Sequence, residues 1–510
     1  MPQTFLTPII IFVAVIFCFA VLFVGDFNLL VLGALIPPLL VSSTRTDLWA
    51  VAILACHLSR LRVPGIPGQI QLYELLVFGM VGLLVLKNLA SHFTPKLTWC
   101  KFWAVAFLIV LVVLMDKRGS GFLALGSDMW GGSAYIHLIC GIMFFLFADQ
   151  ISLSPKTWRV AFVTMFALAT LPALSQLIFH VSDGVAKWHL TFLLPYETSS
   201  ASIINHSITR FQSLTILTPI FLLPFLLSPF TGRHRKWYVI ATLLVIGLGG
   251  LSGHRMVLVI IGLTIWIHIY FQVRNKVTFI LLSVLLISAG LLVIGQLAPL
   301  LPKAHQRMLS VVPLANVAQD VSMDAAGTVT WRIKVWKEAI GMIPDYLWLG
   351  KGFAFSADEH LSRAALFSEA YATRWAIVQT AFHQGVLSLL VGTGLAGFIA
   401  GTGVLLGTSL RHNQAKKREW NDEKLQRMHN VMFSYFVSQV IIYVLVYGDV
   451  QVSFPRLFLY AGILEALRFS DKNVAPSAIE TQAEPDPQML AQHPSGPIPS
   501  RTLPAWSNDA

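Results

Sequence analysis

AFHQGVLSLLVGTGLAGFIAGTGVLLGTSL, residues 381–410, contains no Asp, Glu, Lys or Arg, and the basic string RHNQAKKR follows it directly. A run this long and this apolar exceeds the roughly 20 residues a helix needs to cross a bilayer core. The same signature recurs on both sides of it. Apolar runs occupy 5–25, 28–43, 47–63, 70–88, 99–116, 134–150, 159–180, 213–230, 236–250, 254–272, 277–298, 383–409, 429–447 and 452–468. In lipid the backbone must satisfy its own hydrogen bonds, so these runs are expected as helices. The run at 47–63 is short and carries Cys56, His57 and Arg60, which suits a re-entrant segment.

Composition agrees. The chain has 510 residues, 55% hydrophobic and 12% charged, and its mean hydropathy is +0.69. A water-facing surface needs about 25% charged residues, so a soluble globular protein is excluded. The expectation is an all-α integral membrane protein, a polytopic helical bundle of about 12 to 14 spans. The first run lacks a basic flank and a small-residue cleavage site, so it reads as a span and not a signal peptide. Cys18, Cys56, Cys100 and Cys140 lie in or beside apolar runs without CxxC spacing, as hydrophobic filler.

Lys and Arg concentrate in short loops that stay cytoplasmic. TGRHRKW (231–237), QVRNKV (272–277) and the 410–428 segment are such loops. Placing them inside makes 299–382 one large periplasmic loop with short helices, together with the 181–212 connection and the break near Gly250–His254. The chain then divides into N-terminal spans (1–180), a core with the large loop (181–410), C-terminal spans (411–469) and a cytoplasmic tail (470–510). That tail is rich in Pro, Ser and Ala and is expected to be disordered.

Four basic side chains converge on the periplasmic boundary in this topology. Arg210 precedes the 213–230 run, Arg255 starts the 254–272 run, Arg332 lies in the large loop and His383 starts the 383–409 run. Arginine binds phosphate through a rigid bidentate fork, so the set suggests an anionic headgroup in the interface. Singly, each could be an arginine snorkelling to lipid or a histidine at a helix start. Two contexts favour the set. Ser252-Gly253 breaks the chain just before Arg255, and Arg332, Trp336 and Ile340 at i, i+4, i+8 suggest one helix face.

His383-Gln384, nine residues, then Gly394-Leu-Ala-Gly397 resembles the signature of the bacterial O-antigen ligases and polymerases. WRIKVWKEAIGMIPDYLWLGKGFAF (331–355) resembles the family's Arg, Trp and G-x-G segment, here Arg332, Trp336, Gly350, Gly352 and Phe353. SGHRMVL (252–258) and TRFQSL (209–214) resemble its two span-start arginines, and the resemblance runs from about 200 to 410. Phe398 stands where the family usually has Thr or Ser, and Val259 where it favours Leu.

The resemblance implies transfer of a glycan from a polyprenyl diphosphate carrier to an acceptor hydroxyl on a glycolipid or glycan. The enzyme would lie in the bacterial inner membrane among membrane lipids and need no cofactor, no metal and no nucleic-acid partner. A diphosphate leaving group needs charge stabilisation more than protonation, a role for Arg210, Arg255 and Arg332. The acceptor hydroxyl needs a base, and His383 is the candidate. A single displacement would invert the anomeric carbon. Trp336, Gln384, Gly350, Gly352, Gly394 and Gly397 are supporting residues, the last two allowing close helix contact and the loop pair shaping a turn. The loop shows no DxD pair, and Asp358-Glu359-His360 could in principle hold a cation. Ligase and polymerase both remain open. A lipid-linked glycan transporter is the other alternative, disfavoured because the polar groups gather at one face and not at mid-bilayer.

Overall fold

The computed structural model describes residues 46–58, 70–91, 97–122, 127–174, 176, 202–204, 208–210, 214–215, 235–310, 312, 315–356 and 369–473. In chain order the helices are α1 (Thr46–Cys56), α2 (Leu72–Ser91), α3 (Trp99–Arg118), α4 (Gly132–Phe147) and α5 (Pro155–Ala169). They continue with α6 (Arg235–Leu251), α7 (Arg255–Gln272), α8 (Lys276–Leu297), α9 (Lys303–Leu309), α10 (Gln319–Gly341) and α11 (Ile343–Tyr346). The last four are α12 (Glu369–Val378), α13 (Gly385–Ala415), α14 (Glu423–Leu445) and α15 (Val450–Asn473). A two-stranded antiparallel ribbon, β1 (Ser202–Ile204) and β2 (Ile208–Arg210), precedes α6.

Local chemistry marks the helix starts. Ser154 Oγ accepts from Thr157 N at 3.1 Å with Pro155 behind it, opening α5. Asn275 Oδ1 caps α8 at Thr278 N, and Asp422 Oδ1 takes Lys424 N and Leu425 N at the head of α14. Eight described helices are long and apolar enough to cross a membrane, and the chain is an all-α multi-pass membrane protein. The runs at 5–25 and 28–43, and nearly all of 213–230, lie outside the described residues. In the 47–63 run α1 has 11 residues, which at 1.5 Å each reach only about half of a 30 Å core, as a re-entrant segment would.

The core is aromatic. Phe107 of α3, Phe145 of α4 and Phe454 and Phe458 of α15 are buried against one another, joining α3, α4 and α15. The long helix α13 packs on α3 and α7 packs on α14. Ion pairs close one end of the bundle: Arg411 binds Glu465 at 2.5 Å and Arg418 binds Asp471 at 2.6 Å. This is the end carrying the 273–275 and 416–422 loops. Here the expected tail boundary is corrected. Ser470 and Asp471 are buried in the last turns of α15, because Asp471 Oδ1 accepts the N–H groups of Asn421 and Asp422.

The opposite end collects the starts of α4, α7, α13 and α15 and the helices of the large loop. Arg118 Nε, finishing α3, donates to Gly350 O at 3.0 Å, and Trp130 and Phe355 exchange backbone hydrogen bonds of 2.8 and 2.9 Å. The expected helix-bearing loop at 299–382 is therefore packed onto the bundle by α9 to α12.

Candidate functional site

His383 sits in the short turn between α12 and α13, with φ of 55°. A non-glycine side chain rarely adopts this left-handed conformation, and it persists only where neighbours enforce it. Four contacts do so. Asp449, in the link between α14 and α15, accepts His383 N on Oδ1 and His383 Nδ1 on Oδ2, both at 2.7 Å. Trp336 Nε1 donates to Phe382 O at 2.9 Å, and Ser388 Oγ to Thr380 O at 2.6 Å. Gln384 then caps α13, its Oε1 accepting from Leu387 N while its Nε2 donates to Val444 O at 3.1 Å.

Asp449 is 4% exposed and the His383 side chain 27%. The carboxylate is thus committed inside the protein while part of the imidazole reaches solvent. With Nδ1–H donating to Asp449, Nε2 carries the lone pair and is the nitrogen left for an incoming hydroxyl. The Trp331 and Tyr447 rings flank the imidazole, with centroids 5.4 and 5.0 Å away. They fix its plane.

Tyr447 connects the histidine to Arg332. The Arg332 guanidinium lies 5.5 Å from the Tyr447 ring centroid. Arg332 Nε is buried and has no hydrogen-bond partner in the structure. Burial lowers its pKa from the usual arginine value; Tyr447 and Asp449 oppose that shift and the Arg307 charge adds to it. Arg255 Nη2 donates to Ala325 O of α10 at 3.0 Å and lies within electrostatic range of Arg307 and Arg332. Two guanidinium groups from different helices thus lie within electrostatic range of each other, one with an unmet donor. Such an arrangement is suited to an anion with several oxygens.

Arg332 thus neighbours His383 through the Tyr447 ring, and Arg255 lies within electrostatic range of Arg332. Arg210 ends β2 opposite Ser202, and β2 lies beside α9; its side chain is outside the described residues. Ile340 is a correction, being exposed on α10 while Val335 and Ala339 form the buried stripe. Eight residues turn a helix by two turns plus about 80°, which carries Ile340 off the face that Arg332 and Trp336 share. Asp358-Glu359-His360 lies outside the described residues. Asp449, Tyr447, Trp331 and Arg307 were not anticipated. Asp449 had a signal: it is the only acidic residue between Glu423 and Glu465, in a link at the His383 face.

The glycines have distinct jobs. Gly350 and Gly352 have φ of 77° and 76° and bring the loop backbone onto α13, where Gly394 breaks the helix with φ 70° and ψ −177°. Lys351 N and Gly352 N donate to the carbonyls of Val391 and Gly392 at 2.8 and 3.0 Å. Gly397 faces α3, where a Cβ would come within 3.3 Å of Val110.

Residues 237–401 match the protein family described as O-antigen ligase. The match spans α6 to α13 and contains Arg255, Arg332, Trp336, Gly350, Gly352, His383, Gln384, Gly394 and Gly397, leaving Arg210 and Asp449 outside. The resemblance in the motifs holds over that segment: the chain is O-antigen ligase-like there, a family of membrane glycan-processing enzymes. No curated protein matches the chain.

Proposed function

We propose that the protein transfers a glycan from a polyprenyl diphosphate donor to an acceptor hydroxyl, by inversion at the periplasmic face of the inner membrane. The observation that carries this reading is His383 held by Asp449 with Nε2 left open, with Arg332 on the far side of the shared Tyr447 ring and Arg255 within electrostatic range of Arg332. His383 Nε2 takes the proton from the acceptor hydroxyl as its oxygen bonds the anomeric carbon. The bond from that carbon to the diphosphate oxygen breaks, and its electron pair leaves with the diphosphate. Asp449 stabilises the imidazolium that forms. Arg255 and Arg332, with Arg210 as third partner, hold the diphosphate and take up its developing charge. Nothing in this scheme calls on a metal.

The direct test is transfer by the purified chain in detergent, with a polyprenyl-diphosphate oligosaccharide as donor. Products growing by one donor glycan on a glycolipid core identify a ligase, and ladders on the donor itself identify a polymerase. No product with either acceptor class overturns the reading. Transport without bond formation would appear as donor crossing vesicle membranes unchanged.

Three variants probe the arginines and the topology. Arg255→Lys with Arg332→Lys keeps both charges but removes the bidentate fork. The double variant should lose about tenfold or more in kcat/KM, roughly 1.4 kcal/mol of transition-state binding. Unchanged kcat/KM in folded protein would refute bidentate holding. For topology, Lys337→Cys and Glu419→Cys sit at exposed sites on opposite ends of the bundle. In a background with the native cysteines replaced, an impermeant thiol reagent added outside spheroplasts should label the first and spare the second. The reverse pattern would put the site on the cytoplasmic side.

A further inference from the structure

Arg307 lies in α9, outside every motif, yet its side chain is only 7% exposed. It joins three parts of the site. Its Nε donates to Asp324 Oδ2 of α10, its Nη2 to Thr328 Oγ1 at 3.3 Å, and its Nη1 to Gly253 O at 2.9 Å. Gly253, with φ of 64°, belongs to the break that ends α6 and starts α7 at Arg255. On α10 the partners recur every four residues, at Asp320, Asp324 and Thr328, and the next position on that spacing is Arg332. Lys303 binds the first of these at 2.5 Å, and Arg307 binds the next two. The two helices are thus fixed in register by a ladder whose inner rung is buried and whose outer rung is exposed.

We infer that Arg307 is a positioning residue that holds Arg255 and Arg332 at their working separation, with Asp324 as its fixed counter-ion. Resting on the transfer reading above, it divides the basic cluster into two groups that meet the donor and one that does not. Three guanidinium groups within electrostatic range repel one another. Asp324 pairs directly with Arg307, which braces both helices, and its charge also eases the repulsion at Arg255. Arg255 closes the frame through Ala325 O on the same helix.

The experiment compares Arg307→Gln, Arg307→Lys, Asp324→Asn and the Arg307→Gln/Asp324→Asn double variant in purified full-length protein. A displacement near 1 Å costs on the order of 100-fold when reacting groups must align. The Gln and Asn variants should lose about 10- to 100-fold in kcat/KM per folded molecule, with kcat falling and donor KM rising, since the two displaced arginines hold the donor. The double variant should be no worse than the poorer single, since both members serve one contact. Arg307→Lys keeps the ion pair but cannot reach all three partners, and should fall at least about fivefold. Lys303→Met, removing the exposed rung, should stay within about twofold, as exposed pairs contribute little.

If Arg307 instead grips the donor, Asp324→Asn frees it. That variant would bind inorganic diphosphate more tightly and keep its kcat, which overturns the brace. Variants with poor yield or melting temperature but normal kcat per folded molecule would reduce Arg307 to a structural role and also overturn it. One arm needs no turnover. Amide exchange at 253–256 should quicken at least about tenfold in Arg307→Gln, because the Gly253 carbonyl loses its anchor. Unchanged exchange refutes the brace whether or not the chain transfers glycan, whereas absent wild-type transfer refutes only the catalytic reading.

Discussion

His383→Asn should fold normally and lose transfer by about 100- to 10,000-fold, the range a general base contributes, or roughly 3 to 5 kcal/mol. Asparagine is the informative replacement because His383 stands at φ 55°, a conformation asparagine enters more readily than most residues. Its backbone N–H still reaches Asp449 Oδ1, so the turn ahead of α13 keeps its anchor. Only the basic nitrogen is gone. His383→Gln should fail as well, lacking a proton acceptor of useful strength. Asp449→Asn should also fall steeply. An amide oriented to keep the His383 N–H bond presents its NH₂ to Nδ1 and favours the wrong tautomer. The measurement is single-turnover transfer with saturating donor, beside donor binding and a melting curve. Donor binding should survive, since it belongs to the arginines. Transfer above about a tenth of wild type in His383→Asn would remove the histidine from the chemistry.

The parts legible in sequence were those with a local signature. Long apolar runs gave the spans because a bilayer imposes one length on all of them. Arg255 was visible because Ser252-Gly253 interrupts an apolar run, and His383 because it begins one. What stayed hidden depends on contacts across sequence. Asp449 is 66 residues from His383 and acts only through the packing of the α14–α15 link against the α12–α13 turn. Arg307 sits in a seven-residue helix with no periodicity to read. The face of α10 was half legible, since Arg332 and Trp336 point inward while Ile340, two turns on, has rotated away. Boundaries misled in both directions. α1 is shorter than the apolar run that contains it, and α15 runs past its last apolar residue because Asp471 holds the backbone N–H groups of Asn421 and Asp422 just ahead of α14.

Gly350→Ala should cost on the order of 4 kcal/mol, enough to leave little folded protein. Gly350 and Gly394 each occupy space that the other's Cβ would need. A methyl on Gly350 would lie 2.6 Å from both Gly392 O and Gly394 N, and one on Gly394 would lie 2.7 Å from Gly350 N. Backbone fills those positions, so no side-chain rotation relieves the clash. The positive φ adds about 1 to 2 kcal/mol for any residue with a Cβ. Separating the loop from α13 would sacrifice the Lys351–Val391, Gly352–Gly392 and Leu395–Leu347 hydrogen bonds together. Gly392→Ala is the control. Gly392 has no positive φ, and its nearest neighbour would be the Phe353 ring at 3.3 Å, so a small shift accommodates it. Monodisperse yield and melting temperature in detergent should therefore collapse for Gly350→Ala and hold within a few degrees for Gly392→Ala. Equal behaviour of the two would refute the interlock. The consequence reaches the chemistry, because Lys351 Nζ donates to Val378 O at 2.8 Å where α12 ends. From that point the chain has five residues to turn through Thr380 and present His383. A loop lifted off α13 would release the histidine even in molecules whose spans remain assembled.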